Sequence, residues 1–204
     1  MKAFGSPRLW LLVWGGLGAL LLVYVIIAAS VQTSPRRAPS ALHRDGALLA
    51  GEMADFAYPL TPRRAPDISF LDGEKEITLA DFRGKAVLVN FWATWCGPCV
   101  RELPSLDALQ ALLGGPDFEV VAIAADARGP EKAGEFLARH EIDNLKLYTD
   151  ARLRLILAVS DAGDLPLSIL YDRQGREIGR MVGEADWTSR EARRLIQSVI
   201  DSKE

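Results

Sequence analysis

Residues 86–99 constrain the fold more than any other part of the chain. The run Ala86–Trp92 (AVLVNFW) is short, apolar and rich in β-branched and aromatic side chains, the composition of a buried strand. After the turn residues Ala93, Thr94 and Trp95, helical spacing begins at Cys96 and continues to Leu113, where Gly114-Gly115-Pro116 ends it. A strand that feeds a helix through so short a turn has to pack that helix on its own sheet. The two cysteines of the chain, Cys96 and Cys99, therefore stand at the N-terminus of a helix.

The rest of the C-terminal two-thirds repeats this alternation. Ile68–Leu71 and Glu76–Leu79 flank Asp72-Gly73 and predict a β-hairpin. Phe118–Ala124 predicts a second buried strand, and Glu131–His140 a helix just after Gly129-Pro130. Leu145–Tyr148 reads as a short strand and Leu153–Val159 as a helix. Leu167–Tyr171 and Glu177–Val182 read as strands joined by Asp172-Arg173-Gln174-Gly175. Ser189–Ile200 predicts a final amphipathic helix with Ser189 as its N-cap. Such an order predicts an α/β domain whose central sheet is covered by helices on both faces.

The cysteine spacing carries chemistry. A helix N-terminus offers unpaired N–H groups and the positive end of a dipole, and both stabilise a thiolate. The thiolate is the nucleophilic form, so this position activates Cys96. Pro98 falls in the first turn, where a missing N–H costs nothing. Cys96 and Cys99, three apart, share a helix face and can close a disulfide. Two cysteines are too few for a stapled scaffold, and a structural zinc site needs four ligands. His43 and His140 show no ligand spacing to the pair, so no metal and no bound cofactor is expected; the redox-active disulfide itself holds the electrons. With 24 basic and 27 acidic side chains the chain is mildly acidic, which argues against nucleic acid as a partner.

The N-terminal third differs in kind. Leu9–Ala29 is an uncharged apolar run long enough to cross a hydrocarbon core about 30 Å thick. It predicts a transmembrane anchor, with residues 1–8 before it on the cytoplasmic side. A cleavable signal peptide is the rival reading, with Ala28-Ala29-Ser30 as small residues for cleavage, although the run is long for a signal. The basic residues on its two flanks do not fix the orientation. Residues 30–62, punctuated by Pro35, Pro39, Pro59 and Pro62, read as a linker, with the docking of Ala41–Tyr58 left open. The globular domain is expected over 63–204.

Together Val87–Pro104 (VLVNFWATWCGPCVRELP), the lead-in Ala65–Ile68 and Leu79–Lys85, and Leu165-Pro166-Leu167-Ser168 resemble the membrane-anchored thioredoxin-like proteins of the TlpA/ResA type. The resemblance covers about residues 63–200. It implies a thioredoxin-like fold with a central mixed sheet, an N-terminal β-hairpin and a central αβ insertion. It implies that Cys96 attacks and Cys99 resolves, that Pro166 is a cis-proline facing the disulfide, and that the backbone of Leu165 pairs with a substrate chain. Trp95, Gly97 and Pro98 would complete the docking surface. Pro104 matches a proline that kinks the active-site helix. From spacing alone Glu102 is either a solvent-facing residue or an acid on the Cys99 face; the resemblance implies a partly buried acid that tunes the thiols. Thioredoxins place a buried aspartate where Asn90 stands here, which leaves Glu102 as the group able to titrate.

The implied reaction is thiol–disulfide exchange on protein substrates, with reduction favoured by the Gly-Pro spacer. The resemblance further implies a membrane thiol relay as electron donor, a bacterial cytoplasmic membrane location with the domain outside the cytoplasm, and substrates such as apocytochrome c or copper-site assembly proteins. A disulfide oxidase or isomerase stays open, and a Cu(I) chaperone using the same cysteine pair is the alternative from another class.

Overall fold

The structure, a computed structural model, describes residues 46–61, 63–160 and 162–202. The expected membrane span and the first part of the expected linker lie outside the described residues. Seven strands form one mixed sheet: β1 (Phe70–Asp72), β2 (Lys75–Ile77), β3 (Ala86–Trp92), β4 (Phe118–Ala124), β5 (Tyr148–Thr149), β6 (Leu167–Tyr171) and β7 (Glu177–Val182). Their spatial order is β2-β1-β5-β4-β3-β6-β7. Central β3 runs parallel to β4 and antiparallel to β6. Among the described residues, four α-helices connect or close the sheet: α1 (Gly97–Leu113), α2 (Pro130–Arg139), α3 (Arg154–Val159) and α4 (Arg190–Asp201).

Strand alternation divides the core into two layers. Ala86, Leu88 and Trp92 of β3 point to the side where α1, α2 and α4 pack, together with Leu103, Leu137 and Leu195. Val87, Val89 and Phe91 point to the other side, against Leu79, Phe82 and Leu155. With both faces covered, β3 is buried at all seven positions, which is why its sequence is nearly all apolar.

Several expected boundaries shift, each for a local reason. The hairpin strands are shorter than expected because Thr78 leaves the ladder to cap a 3-10 turn, Leu79–Phe82, in a reciprocal capping box with Asp81. Helix α2 starts at Pro130 itself, a residue suited to the first helical position. The strand expected over Leu145–Tyr148 is Tyr148–Thr149, because the Asn144 and Leu145 N–H groups donate instead to Asp107 of α1. Ser189 caps α4 as expected, accepting from the Ala192 N–H at 3.2 Å.

The docking left open for the linker is visible over 46–61, which packs against the domain. Two 3-10 turns, Gly46–Leu48 and Gly51–Met53, lead Met53 and Phe56 into the core beside α4. Gly179 of β7 makes room: a Cβ there would lie 2.3 Å from the Phe56 ring. Ala57 exchanges backbone hydrogen bonds with Arg180, and the chain stays with β7 as Arg63 accepts from the Glu177 N–H and Ala65 donates to Gly175.

Candidate active site

The turn between β3 and α1 is tied down from the neighbouring strand. Asp126, just past β4, accepts from the Thr94 N–H at 3.2 Å, from the Thr94 hydroxyl, and from the Arg128 backbone and guanidinium. Burial alone would raise the Asp126 carboxyl, but these donors outweigh it and hold it below the ordinary carboxylate range. Ala93 then accepts from the Cys96 N–H, and the chain enters α1.

Cys96 is the N-cap of that helix. Its sulfur accepts from the Cys99 N–H at 3.3 Å, and its carbonyl accepts from the Val100 N–H at 3.0 Å. The sulfur thus occupies the position of a capping side-chain oxygen, where N–H groups favour negative charge. Cys96 and Cys99 form a disulfide with Cα atoms 5.3 Å apart. Cys99 is the more deeply set, at 1% exposure against 5% for Cys96. Trp95 (64% exposed), Gly97 and Pro98 surround the Cys96 side as an exposed rim, whereas Trp92 belongs to the core.

The expected cis bond is present between Leu165 and Pro166. Leu167 pairs with Phe91, so Pro166 lies at the end of the sheet from which the cysteine turn departs. The Pro166 carbonyl accepts from the Gly183 N–H at 2.9 Å, and Leu165 is half-buried against both core layers. Pro104 lies inside α1.

Glu102 is buried, at 2% exposure. Asn90 of β3 donates to its Oε2 at 3.1 Å and to the Ser168 hydroxyl at 2.9 Å. The Trp187 indole N–H donates to Oε1. Loss of water raises the carboxyl to about 7, the donors from Trp187, Asn90 and the Ala185 backbone pull against that, and Glu184 nearby adds to it. Of its two sequence readings, the solvent-facing one is therefore ruled out. Trp187, Ser168 and Asp126 were not singled out by the sequence. The only available signal was a tryptophan set among polar residues just ahead of a helix cap.

A redoxin family profile matches residues 62–196. The thiol-disulfide oxidoreductase ResA of Bacillus cereus is 31% identical over 138 residues, covering 67% of this chain and 78% of that protein. Among solved structures, a thiol:disulfide interchange protein DsbE from Chlorobium tepidum superposes with a TM-score of 0.60 at 28% identity, covering 67% of this chain and 95% of its own. A thiol-disulfide oxidoreductase from Bacteroides vulgatus gives a TM-score of 0.55 at 29% identity, with 70% and 99% covered. With its paired cysteines at a helix N-terminus in a thioredoxin-like sheet, the chain belongs to the redoxin family as a thiol:disulfide oxidoreductase of the ResA/TlpA type.

Proposed function

We propose that this enzyme reduces disulfides in protein substrates outside the cytoplasm, held at the membrane by Leu9–Ala29. The observation that carries the redox part is the placement of the Cys96 sulfur as helix cap beneath an exposed rim, with Cys99 behind it. In the reduced enzyme the Cys96 thiolate attacks one sulfur of a substrate disulfide. A mixed disulfide forms and the first substrate thiolate leaves. Cys99 then gives up its proton and attacks the Cys96 sulfur, which releases the second substrate thiolate. Two electrons pass to the substrate and the enzyme is left with the Cys96–Cys99 bond. Glu102 takes up the Cys99 proton, the task that a carboxyl raised to about 7 suits near neutral pH. Trp95, Gly97 and Pro98 supply the docking rim, and the Leu165 backbone beside Pro166 pairs with the substrate chain.

A thiol relay in the membrane restores the reduced pair, and exported proteins with oxidised cysteine pairs, such as apocytochrome c or copper-site assembly proteins, are the substrates. Support for the setting comes from the apolar run and from the resemblance to ResA. The Cys99→Ala chain should trap exported substrates as mixed disulfides on Cys96, and the reduction potential of the intact pair should lie near about −270 mV. A potential near about −120 mV would reverse the direction to oxidation. Failure to trap any disulfide partner would remove the substrate assignment.

A further inference from the structure

The buried acid is held from a second direction by a loop that lies far from the cysteine motif in sequence. Between β7 and α4 the chain passes through Glu184, Ala185, Asp186 and Trp187. Trp187 is fully buried, and its indole N–H reaches Glu102 Oε1. The loop is fastened to the same helix that carries the acid. The Ser105 hydroxyl accepts from the Trp187 backbone N–H at 3.2 Å, and contacts the carbonyls of Glu102 at 2.9 Å and Ala185 at 3.3 Å. The Asp186 N–H donates to Glu52 from the 46–61 segment at 3.3 Å.

The two carboxyl oxygens therefore have unlike side-chain partners, with the Ala185 backbone N–H as a further donor to the carboxyl. An indole N–H can only donate, so Oε1 meets a group that favours negative charge whatever the protonation state. Asn90 is ambivalent. Its Nδ2 donates to Oε2, while its Oδ1 is buried without a partner. A half-turn of the amide would present Oδ1 to a proton on Oε2, and the Ser168 hydroxyl can follow because it both donates and accepts.

We propose that Trp187 is a positioning residue for the exchange reaction, locking Oε1 as the anionic oxygen so that Oε2, facing Asn90, is the one that takes up and releases the proton. The proposal rests on the reading in which Glu102 handles the Cys99 proton, and deepens it. The charged groups around the acid are few. Arg101 and Glu184 pair at 2.8 Å, and with Glu52 and Asp186 they line an open cleft that Glu102 also borders. From β3 it meets the neutral Asn90, which in turn donates to Ser168 of β6.

The test follows the Trp187 indole proton resonance in the full chain from pH 5 to 9, identified by its loss in Trp187→Phe. It should titrate in the wild type and stay flat in Glu102→Gln. Trp187→Phe removes a donor to the anion, so the pH profile of disulfide exchange should move upward by about one to two pH units, with KM for the protein substrate unchanged. An indole resonance that does not titrate in the wild type, or a Trp187→Phe profile that coincides with the wild type, overturns the proposal. The titration requires no turnover: absence of exchange activity at every pH would sink the functional reading, while the indole signal would still decide the pairing. Should Trp187→Phe fail to fold, comparison of the wild type with Glu102→Gln decides by itself.

Discussion

At the scale of single residues, two buried carboxyls are pushed in opposite directions. Glu102 is raised by loss of water, and Asp126 is lowered by donors that outweigh its burial. A raised acid stabilises the fold below its unfolded value and loses that contribution as pH climbs through its folded value. Between about pH 4.5 and 7 the wild type should therefore lose about 3 kcal/mol of stability from Glu102, and denaturant unfolding of Glu102→Gln should lack this slope. Asp126 works the other way. Its contribution is complete above the ordinary aspartate range and fades as pH falls through its depressed value. The cysteine pair could be read from spacing at a strand-to-helix junction, since residues three apart share one helix face and can close a disulfide. The environment of Glu102 could not, because its side-chain donors come from 12 residues before it and 85 residues after it. Which buried donor meets which buried acid is decided by loop closure, and no local pattern records that.

At the scale of elements, β3, β4 and β6 were legible because burial on both faces leaves a run of apolar residues with little ambiguity. The segment 46–61 was not. Met53 and Phe56 sit among alanines, glycines and prolines without any period, and their burial is created by α4 and by the bare backbone at Gly179. Phe56→Ala should empty that site and lower stability by about 3 kcal/mol, seen as a drop in Tm of roughly 10 °C. A drop near zero would mean that the segment rests on the domain without supporting it. The turn between β3 and α1 is the second element held from outside itself. Asp126→Ala strips both Thr94 donors of their acceptor. Reaction at Cys96 should slow about tenfold or more through misplacement of the sulfur, while the pH profile governed by Glu102 stays where it was. A moved profile would instead tie the two carboxyls together.

At the scale of the whole molecule, the sheet brings its reacting groups to one end. β3 delivers the cysteine turn, β4 leads to Asp126 that steadies it, and the Leu165–Pro166 pair precedes β6 at the same level. Fold class was readable from the alternation of strands and helices, whereas the pairing of β1 with β5 joins hairpin and insertion through only two residue pairs and left no trace in the sequence. The contacts of Ala57, Arg63 and Ala65 along the β7 side have a consequence for how copies of this enzyme meet. An open outer strand would offer its free N–H and C=O groups to any neighbouring chain and invite fibre-like stacking. Here that flank is already occupied by the protein's own backbone, and the opposite flank is a strand of three residues bearing Lys75 and Glu76. A second copy of this protein therefore meets little open edge on the described sheet to extend.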